Sequence, residues 1–211
     1  MNICIGIISY LPDGGKAREI RRSRAVRLFD QCQRLLNLPI IVVAQNWDNI
    51  EFEGVTFFHF DKLGITGARS KLRDILLESE YDYFIMIDDD MELVEDPSQF
   101  KQYLNLIYRT PTTILEYKNY LLNMFGIPRV ILEREEYDNI EAEKGEGFED
   151  WIYVSRLKNK YKANYYRLDG LKLIPKPRSE LVEDPYSTWI TETVDKDAIT
   201  NKSWEIIRNQ K

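Results

Sequence analysis

The chain contains 211 residues, of which 44% are hydrophobic and 30% are charged, and this composition excludes general intrinsic disorder. Its length suffices for one hydrophobic core, formed by one domain or by two fused lobes. Its 29 basic and 35 acidic residues give a net charge of −6, which excludes a general attraction to nucleic acid or anionic membranes. Two cysteines and one histidine exclude a disulfide framework, a four-cysteine zinc site and a two-histidine metal motif.

The longest apolar run, at residues 38–44, is far shorter than the roughly 18 residues that a membrane-spanning helix needs. Residues 1–11 lack the basic region and the small-residue cleavage site of a secretory signal. We therefore expect a soluble cytoplasmic protein in which both cysteines are buried thiols.

The first half of the chain alternates between strand and helix patterns. Hydrophobic periodicity predicts strands at 2–9, 39–44, 55–60 and 83–87, and helices at 16–36 and 66–79, the second with Thr66 as its N-cap. This order predicts a doubly wound α/β lobe, in which ligands bind beyond the carboxyl ends of the strands. His59 lies in the apolar third strand, which favours a buried structural histidine over a catalytic one. Asp96-Pro97 marks a break, and a further strand is predicted at 112–117.

Three consecutive carboxylates, Asp88, Asp89 and Asp90, follow the fourth predicted strand. Neighbouring like charges repel one another, so the cluster indicates a cation that neutralises it. Mg²⁺ and Mn²⁺ bind carboxylate oxygens and bridge them to substrate phosphates. On an extended chain Asp88 and Asp90 point to one side and Asp89 to the other, which makes Asp88 and Asp90 the natural ligand pair. The alternative is an acidic turn without a ligand.

Residues 67–76 (GARSKLRDIL) and 81–90 (YDYFIMIDDD) resemble the nucleotide-sugar-binding half of GT-A glycosyltransferases, galactosyltransferase-like or family-2-like, with their Asp-x-Asp motif. The resemblance implies a GT-A type doubly wound mixed sheet, in which a Rossmann-like nucleotide-binding lobe is fused to an acceptor-binding lobe. It implies that Arg69 lies near the diphosphate, that Asp88 contacts the ribose or sugar of the donor, and that Asp90 binds the metal, Mn²⁺ or Mg²⁺. Asp89 is a further candidate donor contact, and Asp88 is a second candidate metal ligand. A metal and a guanidinium would stabilise the charge that develops on a nucleoside diphosphate as it leaves.

Two segments of the second half extend the resemblance. Residues 124–137 resemble the part in which these enzymes place a glycine, a strand and a short helix, and residues 145–157 (GEGFEDWIYVSRL) resemble their Gly-x-Gly-x-Glu-Asp segment. The resemblance implies that Asp150 is the base that takes the acceptor proton, that Glu149 binds the acceptor, or that these roles are exchanged. Trp151 would stack on a sugar or base. The alternative is a plain helix start, where acids suit the helix dipole.

Several members of the family use a late histidine as a further metal ligand, and no histidine follows His59 in this chain. Asp169 lies in the corresponding region and is a candidate ligand, although Asp-Gly is also an ordinary hairpin turn. A second alternative is a metal held by Asp90, phosphates and water alone. Tyr10 and Asp48 follow the first two strands and are candidate contacts to the nucleobase.

The first helix carries a basic stretch whose members recur along its length. These residues are Lys16, Arg18, Arg21, Arg22, Arg24 and Arg27. The ordinary interpretation is a solvated helix face. The functional alternatives are a clamp on a diphosphate or a contact to a polyanionic acceptor, including DNA with modified bases.

These observations predict a nucleotide-sugar-binding lobe at 1–95, an acceptor-binding and catalytic lobe at 96–180, and a tail or helix at 181–211. The predicted activity is metal-dependent transfer of a sugar from a nucleotide-diphosphate sugar to an acceptor hydroxyl, with inversion. Two alternatives remain open: a nucleotidyltransferase acting on sugar phosphates and a catalytically silent nucleotide-binding protein on the same fold. Compatible acceptors include glycans, lipid-linked sugars, proteins and DNA, and the sequence does not indicate an oligomeric state.

Overall fold

A computed structural model describes residues 1–117, 124–137, 149–168 and 176–177, and the structure below is that of these residues. The first half forms β1 (Ile3–Tyr10), α1 (Gly15–Leu36), β2 (Ile40–Gln45), β3 (Val55–Phe60), α2 (Gly64–Glu78) and β4 (Tyr83–Asp88). This order confirms the predicted succession of strand, helix, strand, strand, helix and strand. Each predicted boundary lies within two residues of the observed one.

The second half adds β5 (Met91–Glu92), α3 (Pro97–Arg109), β6 (Ile114–Tyr117), β7 (Met124–Pro128), α4 (Arg129–Leu132), α5 (Glu149–Lys160), β8 (Tyr165–Leu168) and β9 (Lys176–Pro177). The strand and short helix predicted within 124–137 are confirmed as β7 and α4. A helix also begins at Glu149, where the glycine-rich segment predicts one.

Seven of the described strands form one sheet in the order β3-β2-β1-β4-β7-β6-β8. Strands β1, β2, β3 and β4 are parallel, and β7 runs antiparallel to both of its neighbours, β4 and β6. The small strands β5 and β9 form a separate antiparallel pair. The predicted doubly wound mixed α/β architecture is therefore confirmed. The division into lobes at residue 95 stays a prediction, and β4 and β7, which lie on either side of it, pair within the same sheet.

Helices cover both faces of the sheet because alternate strand residues point to opposite sides. One core lies against α1 and α3 and includes Leu28 and Ile107. The other lies against α2, α4 and α5 and includes Leu72 and Leu157. Strands β1, β2 and β4 are buried on both faces, which explains why their sequences are continuous apolar runs. Cys4 is buried in the second core, and desolvation raises the pKa of its thiol to about 12.

Two local predictions, the N-cap of α2 and the burial of His59, are corrected by the structure. Helix α2 begins at Gly64 with Leu63 as its N-cap, so Thr66 lies inside the first turn and does not cap the helix. Strand β3 lies at the edge of the sheet that the described residues form, and its six residues are exposed or half-buried. His59 is consequently exposed and stacks on Phe57, with 5.9 Å between ring centroids. The apolar residues of β3 did not indicate that this strand would lie at the edge of the sheet.

The described residues also contain α3, a helix that the sequence analysis did not predict. Asp96 is the N-cap of this helix, and its carboxylate accepts a hydrogen bond from the backbone N–H of Ser98. Pro97 occupies the first helical position, where proline costs nothing because that N–H has no partner in a helix. The break predicted at Asp96-Pro97 is therefore the point at which this helix begins.

Candidate active site

The carboxyl ends of the central strands lie together at one edge of the sheet. Tyr10 at the end of β1 is paired with Gln45 at the end of β2, and Ile8 of β1 is paired with Asp88 at the end of β4. The side-chain amide oxygen of Gln45 accepts a hydrogen bond from the backbone N–H of Leu63 at 2.7 Å, which holds the loop before α2 against this edge. The three strand ends and the α2 start form the place where a doubly wound sheet binds ligands.

Asp88 faces helix α2. It continues the face of β4 that carries Phe84 and Met86, both packed in the α2 core. From α2, the Nη2 atom of Arg69 donates to Oδ1 of Asp88 at 3.4 Å. Arg69 is 8% exposed, so a cationic group lies nearly buried beside the strand-end carboxylate. Packing thus holds Arg69 beside Asp88, and these are two of the residues that the resemblance implies near the donor.

Asp89 faces the opposite side of the sheet, towards helix α1. Its Oδ2 atom accepts a hydrogen bond from Ser9 Oγ at 2.6 Å, and its Oδ1 atom accepts one from Arg21 Nη2 at 3.3 Å. Ser9 Oγ in turn accepts a hydrogen bond from Trp47 Nε1 at 3.1 Å. Asp89 is only 9% exposed. Both of its carboxylate oxygens are therefore engaged by buried or half-buried groups of the protein.

Asp90 lies in the turn between β4 and β5 and is exposed to solvent. The next residue, Met91, is fully buried, so the turn is anchored directly after Asp90. Within the described parts of the chain, no group of three or more histidine, cysteine, aspartate or glutamate side chains is arranged to hold a metal ion. Asp90 and the partly exposed Asp88 offer carboxylate oxygens, which suit a hard divalent cation that takes its other ligands from phosphates and water. The residues present fit Mg²⁺ or Mn²⁺.

The two candidate nucleobase contacts lie at the same edge. Tyr10 is half-buried, and the Nζ atom of Lys62 lies 5.7 Å from the centroid of its ring. Asp48 is exposed and forms an ion pair with Arg18, whose Nη2 atom lies 3.0 Å from Oδ1 of Asp48. Arg18 also donates to the carbonyl oxygen of Pro12 at 2.8 Å, within the loop that joins β1 to α1.

The six members of the basic stretch of α1 have different surroundings. Arg18 and Arg21 contact acidic residues at the carboxyl edge of the sheet, Asp48 and Asp89. In contrast, the side chains at positions 16, 22 and 27 are exposed. The stretch is therefore not one uniform solvated face, because Arg18, Arg21 and Arg24 are half-buried.

Helix α5 begins with the two candidate acceptor-side acids, Glu149 and Asp150. The helix ends shortly before β8, whose first residue pairs with Ile114 at the amino end of β6. Since α5 packs on the sheet and runs towards this amino edge, its first turn points towards the carboxyl edge. The side chains of Glu149, Asp150 and Trp151, the whole of Asp169 and the segment 181–211 lie outside the described residues.

A buried glutamate anchors α5. Glu135 is 2% exposed, and its carboxylate lies 3.3 Å from Arg156 Nε and 2.6 Å from Lys160 Nζ. It also accepts a hydrogen bond from the Tyr161 hydroxyl at 2.6 Å. Burial, with a further contribution from this bond, raises the pKa of Tyr161 to about 12. From α2, Arg73 donates to the backbone carbonyl of Glu135 at 2.7 Å, so the helix of the candidate base is linked to the helix of Arg69.

The sequence analysis missed Ser9, Trp47 and Lys62. Each is at or just beyond the carboxyl end of a strand, and that position is the signal that predicts ligand-binding residues in such sheets. Their contacts join segments far apart in the chain, since 80 residues separate Ser9 from Asp89. Such pairs depend on the sheet order, which periodicity does not supply.

Comparison with known proteins relates the fold to that of nucleotide-diphospho-sugar transferases. No model of a protein family matches the chain, and no curated protein matches it in sequence. A solved structure of a proposed nucleotide-diphospho-sugar transferase from Desulfovibrio desulfuricans is similar over 100% of this chain and 99% of its own, with 12% identity and a TM-score of 0.55. This likeness shows a GT-A-like fold.

Two further structures represent two kinds of enzyme. A mannosyltransferase from Pyrobaculum calidifontis, in complex with GDP-Man and Mn²⁺, is 10% identical, with a TM-score of 0.56 over 89% of this chain and 59% of its own. CMP:2-keto-3-deoxy-manno-octonic acid synthetase, complexed with CTP, is 8% identical, with a TM-score of 0.53 over 91% of this chain and 100% of its own. The fold is thus common to sugar transfer and nucleotidyl transfer, and the site must distinguish them. Among the described residues, no helix has the length and apolar character required to cross a bilayer.

Proposed function

We propose that this chain is a glycosyltransferase that moves a sugar from a nucleoside-diphosphate sugar to an acceptor hydroxyl with the help of Mn²⁺ or Mg²⁺. The observation that carries the proposal is the end of β4, where Arg69 is bonded to Asp88 and the exposed Asp90 follows in the turn. A nearly buried guanidinium and two carboxylates at one strand end match the needs of a diphosphate and its metal. The likeness to a mannosyltransferase solved with GDP-Man and Mn²⁺ supports the same assignment.

Asp90, with Asp88, would hold the metal, and Asp169 is a proposed further ligand. When bound, the metal supplies positive charge that stabilises the nucleoside diphosphate as a leaving group. Arg69 adds a fixed positive charge beside the same group, and burial strengthens that interaction because water is excluded. Tyr10 and Asp48 are proposed to contact the nucleobase, because Tyr10 ends β1 and Asp48 lies in the loop after β2.

Glu149 and Asp150 are proposed to act on the acceptor. One carboxylate takes the proton of the acceptor hydroxyl, while the oxygen forms a bond to the anomeric carbon and the bond from that carbon to the diphosphate breaks. Attack from the face opposite the leaving group inverts the configuration at that carbon. The orientation of α5, which points its first turn towards the carboxyl edge, supports this role. Trp151 is proposed to stack on the acceptor, whose hydroxyl belongs to a glycan or another hydroxyl-bearing molecule, including a modified DNA base.

One observation favours a second candidate function, nucleotidyl transfer to a sugar phosphate. The chain covers the full length of CMP:2-keto-3-deoxy-manno-octonic acid synthetase, whose structure holds CTP. Against this candidate, residues 11–16, which span the loop after β1 and the start of α1, contain two glycines and one lysine and only weakly resemble the glycine-rich basic loop of nucleotidyltransferases. The products separate the two: nucleotidyl transfer releases pyrophosphate from a nucleoside triphosphate, whereas sugar transfer releases a nucleoside diphosphate.

A donor screen tests the proposal. The protein is incubated with Mn²⁺ and each common nucleotide sugar in turn, and release of nucleoside diphosphate is followed without acceptor. We expect slow hydrolysis of one donor, loss of this reaction in Asp90→Ala, and its retention in the control Asp82→Asn, which alters an aspartate at the opposite end of β4. In Asp150→Ala we expect transfer to an acceptor to fall while donor binding persists. Inactivity with every donor, together with pyrophosphate release from a triphosphate and a sugar phosphate, would replace the proposal by the second candidate.

A further inference from the structure

The three aspartates at the end of β4 have different surroundings, although they are adjacent in sequence. Asp88 is bonded to Arg69 of α2, whereas Asp89 is bonded to Arg21 of α1 and to Ser9 of β1. Asp89 is 9% exposed, while Asp90 is open to solvent. A metal or donor would therefore have to break existing bonds to reach the oxygens of Asp89.

The bonds of Asp89 form a chain across three strand ends. Trp47, in the loop after β2, donates to Ser9 near the end of β1, and Ser9 donates to Asp89 after β4. Trp47 is itself held between two aromatic rings, with centroids 6.1 Å from Phe29 and 6.0 Å from Phe57. This series of hydrogen bonds thus begins at the packed side chain of Trp47 and ends at Asp89, the residue before Asp90.

We infer that Asp89 is a positioning residue, which fixes the turn that carries Asp90 and does not itself contact metal or donor. This inference rests on the proposed function and deepens it. Asp89 and Asp90 are the two residues of the turn, and buried Met91 fixes its far end. The bonds from Ser9 and Arg21 to Asp89 fix its near end, so both ends of the turn that carries Asp90 are held. Asp89 therefore acts as a tie between strands: its hydrogen bond to Ser9 links the turn after β4 to β1.

The variant that tests this role is Ser9→Ala, because it removes one bond to Asp89 and leaves all three carboxylates in place. Groups that orient metal ligands typically change metal affinity by about tenfold or more when they are removed. We expect the Mn²⁺ concentration for half-maximal donor hydrolysis to rise roughly tenfold in Ser9→Ala, with kcat at saturating Mn²⁺ nearly unchanged. Ser9→Thr keeps the hydroxyl and should restore the Mn²⁺ dependence. Trp47→Phe, which removes only the last donor of the chain, should give a smaller rise.

A second readout does not depend on turnover. Hydrogen exchange of the backbone amides at 88–92 is compared by mass spectrometry between wild type and Ser9→Ala, with Asp82→Asn as the control at the other end of β4. We expect faster exchange in the turn of Ser9→Ala only. Unchanged exchange in the turn would overturn the inference, whether or not the protein hydrolyses a donor.

The same experiments separate the inference from the function on which it rests. If wild type hydrolyses no donor while the exchange result is as expected, the proposed function fails and the tie between strands stands. If Asp89→Asn abolishes the Mn²⁺ dependence as completely as Asp90→Ala, and Ser9→Ala leaves it unchanged, then Asp89 is a ligand and the positioning role is wrong. A lower melting temperature of Ser9→Ala without a change in Mn²⁺ dependence would likewise overturn the inference, because Asp89 would then contribute to stability but not to the position of Asp90.

Discussion

At the end of β4, side-chain direction decides what each aspartate can do. Because strand residues alternate between the two faces, Asp88 meets the arginine of α2 and Asp89 meets the arginine of α1. Both bonds satisfy carboxylates that would otherwise repel each other across a single peptide unit. The arrangement leaves Asp90 as the exposed carboxylate of the three. One consequence is that substitutions of the two arginines should have different effects.

Arg69 should contribute to catalysis through both its charge and its shape. Arg69→Lys keeps the charge but loses the planar fork that binds a diphosphate through two bonds, so we expect kcat/KM for donor turnover to fall about tenfold. Arg69→Gln removes the charge as well, and we expect a fall of 10²–10³-fold, which is typical of a lost electrostatic stabiliser. Arg109→Gln, on an exposed arginine at the end of α3, is the control. Full activity in Arg69→Gln would remove Arg69 from the donor site.

Packing requires a glycine at position 126 of β7, because a larger side chain has no room there. A Cβ atom at this position would lie 2.6 Å from the Tyr83 hydroxyl and 3.0 Å from the Tyr103 hydroxyl, and both tyrosines are fully buried. We expect Gly126→Ala to lower the free energy of unfolding by about 1–3 kcal/mol, the usual cost of overpacking. Urea unfolding monitored by circular dichroism measures the change.

The control for Gly126 is Gly14, the N-cap of α1. Its φ of 173° is extended backbone that any residue adopts, and no atom lies within 4 Å of a Cβ built there. We expect Gly14→Ala to cost under about 1 kcal/mol, since glycine is only somewhat better than alanine at an N-cap. Equal losses in both variants would contradict the steric explanation.

At the scale of elements, a carboxylate connects α1 to the segment before α3. Both oxygens of Glu95 accept hydrogen bonds from Arg34, at 3.0 and 2.8 Å, and Gln31 donates to the same group at 3.0 Å. The bonds from Arg34 first, and then that from Gln31, hold the pKa of Glu95 below its ordinary value of 4.5. The folded state therefore favours the ionised form more strongly than the unfolded state does.

This shift predicts the direction of a pH effect. The stabilisation by Glu95 is fully present above about pH 4.5 and is lost as the pH falls through the lowered folded value. We expect the stability difference between wild type and Glu95→Gln to shrink between about pH 5 and pH 3, by a small amount because the side chain is 53% exposed. The urea midpoint at each pH measures it, with the exposed Glu53→Gln as control. A difference that grows as the pH falls would show that the sign is wrong.

The elements differ in how far their sequences determine them. The strands β1, β2 and β4 could be predicted because residues buried on both faces form continuous apolar runs bounded by turn residues. Helix α3 has the apolar periodicity of a helix, because Phe100, Tyr103 and Ile107 follow each other at spacings of three and four. The exposure of β3 had no local signal, because an edge strand is defined by the absence of a further neighbour.

At the scale of the whole molecule, the sheet order places the site. Arg69 and Asp88, 19 residues apart, could be paired from the resemblance because one helix and one strand connect them. The contact between Ser9 and Asp89 spans 80 residues, and it exists because β1 lies beside β4 in the middle of the sheet. A single sequence supplies local periodicity but not the neighbours of each strand. The aspartates at the end of β4 could therefore be named as candidates from the sequence, while the groups that contact Asp89 could not.

The whole molecule should also report ligand binding through its stability. A ligand that binds only the folded state stabilises it by RT ln(1 + [L]/Kd), which is about 2.7 kcal/mol at 100 times Kd. For a domain of this size, that gain corresponds to a rise in Tm of about 5–10 °C. If Asp90 holds a metal that bridges to a diphosphate, UDP or GDP should raise the Tm strongly only when Mn²⁺ is present. Mn²⁺ alone should have a small effect, because the described residues contain no cluster of three ligands.

Calorimetry on wild type and Asp90→Ala makes this test decisive. We expect the joint effect of Mn²⁺ and nucleoside diphosphate to exceed the sum of their separate effects in wild type, because each ligand completes the binding site of the other. In Asp90→Ala the two effects should become additive and small, whereas Asp82→Asn should behave as wild type does. A rise of equal size with and without Mn²⁺ would show that the diphosphate is held by cationic side chains such as Arg69, with no metal between it and Asp90.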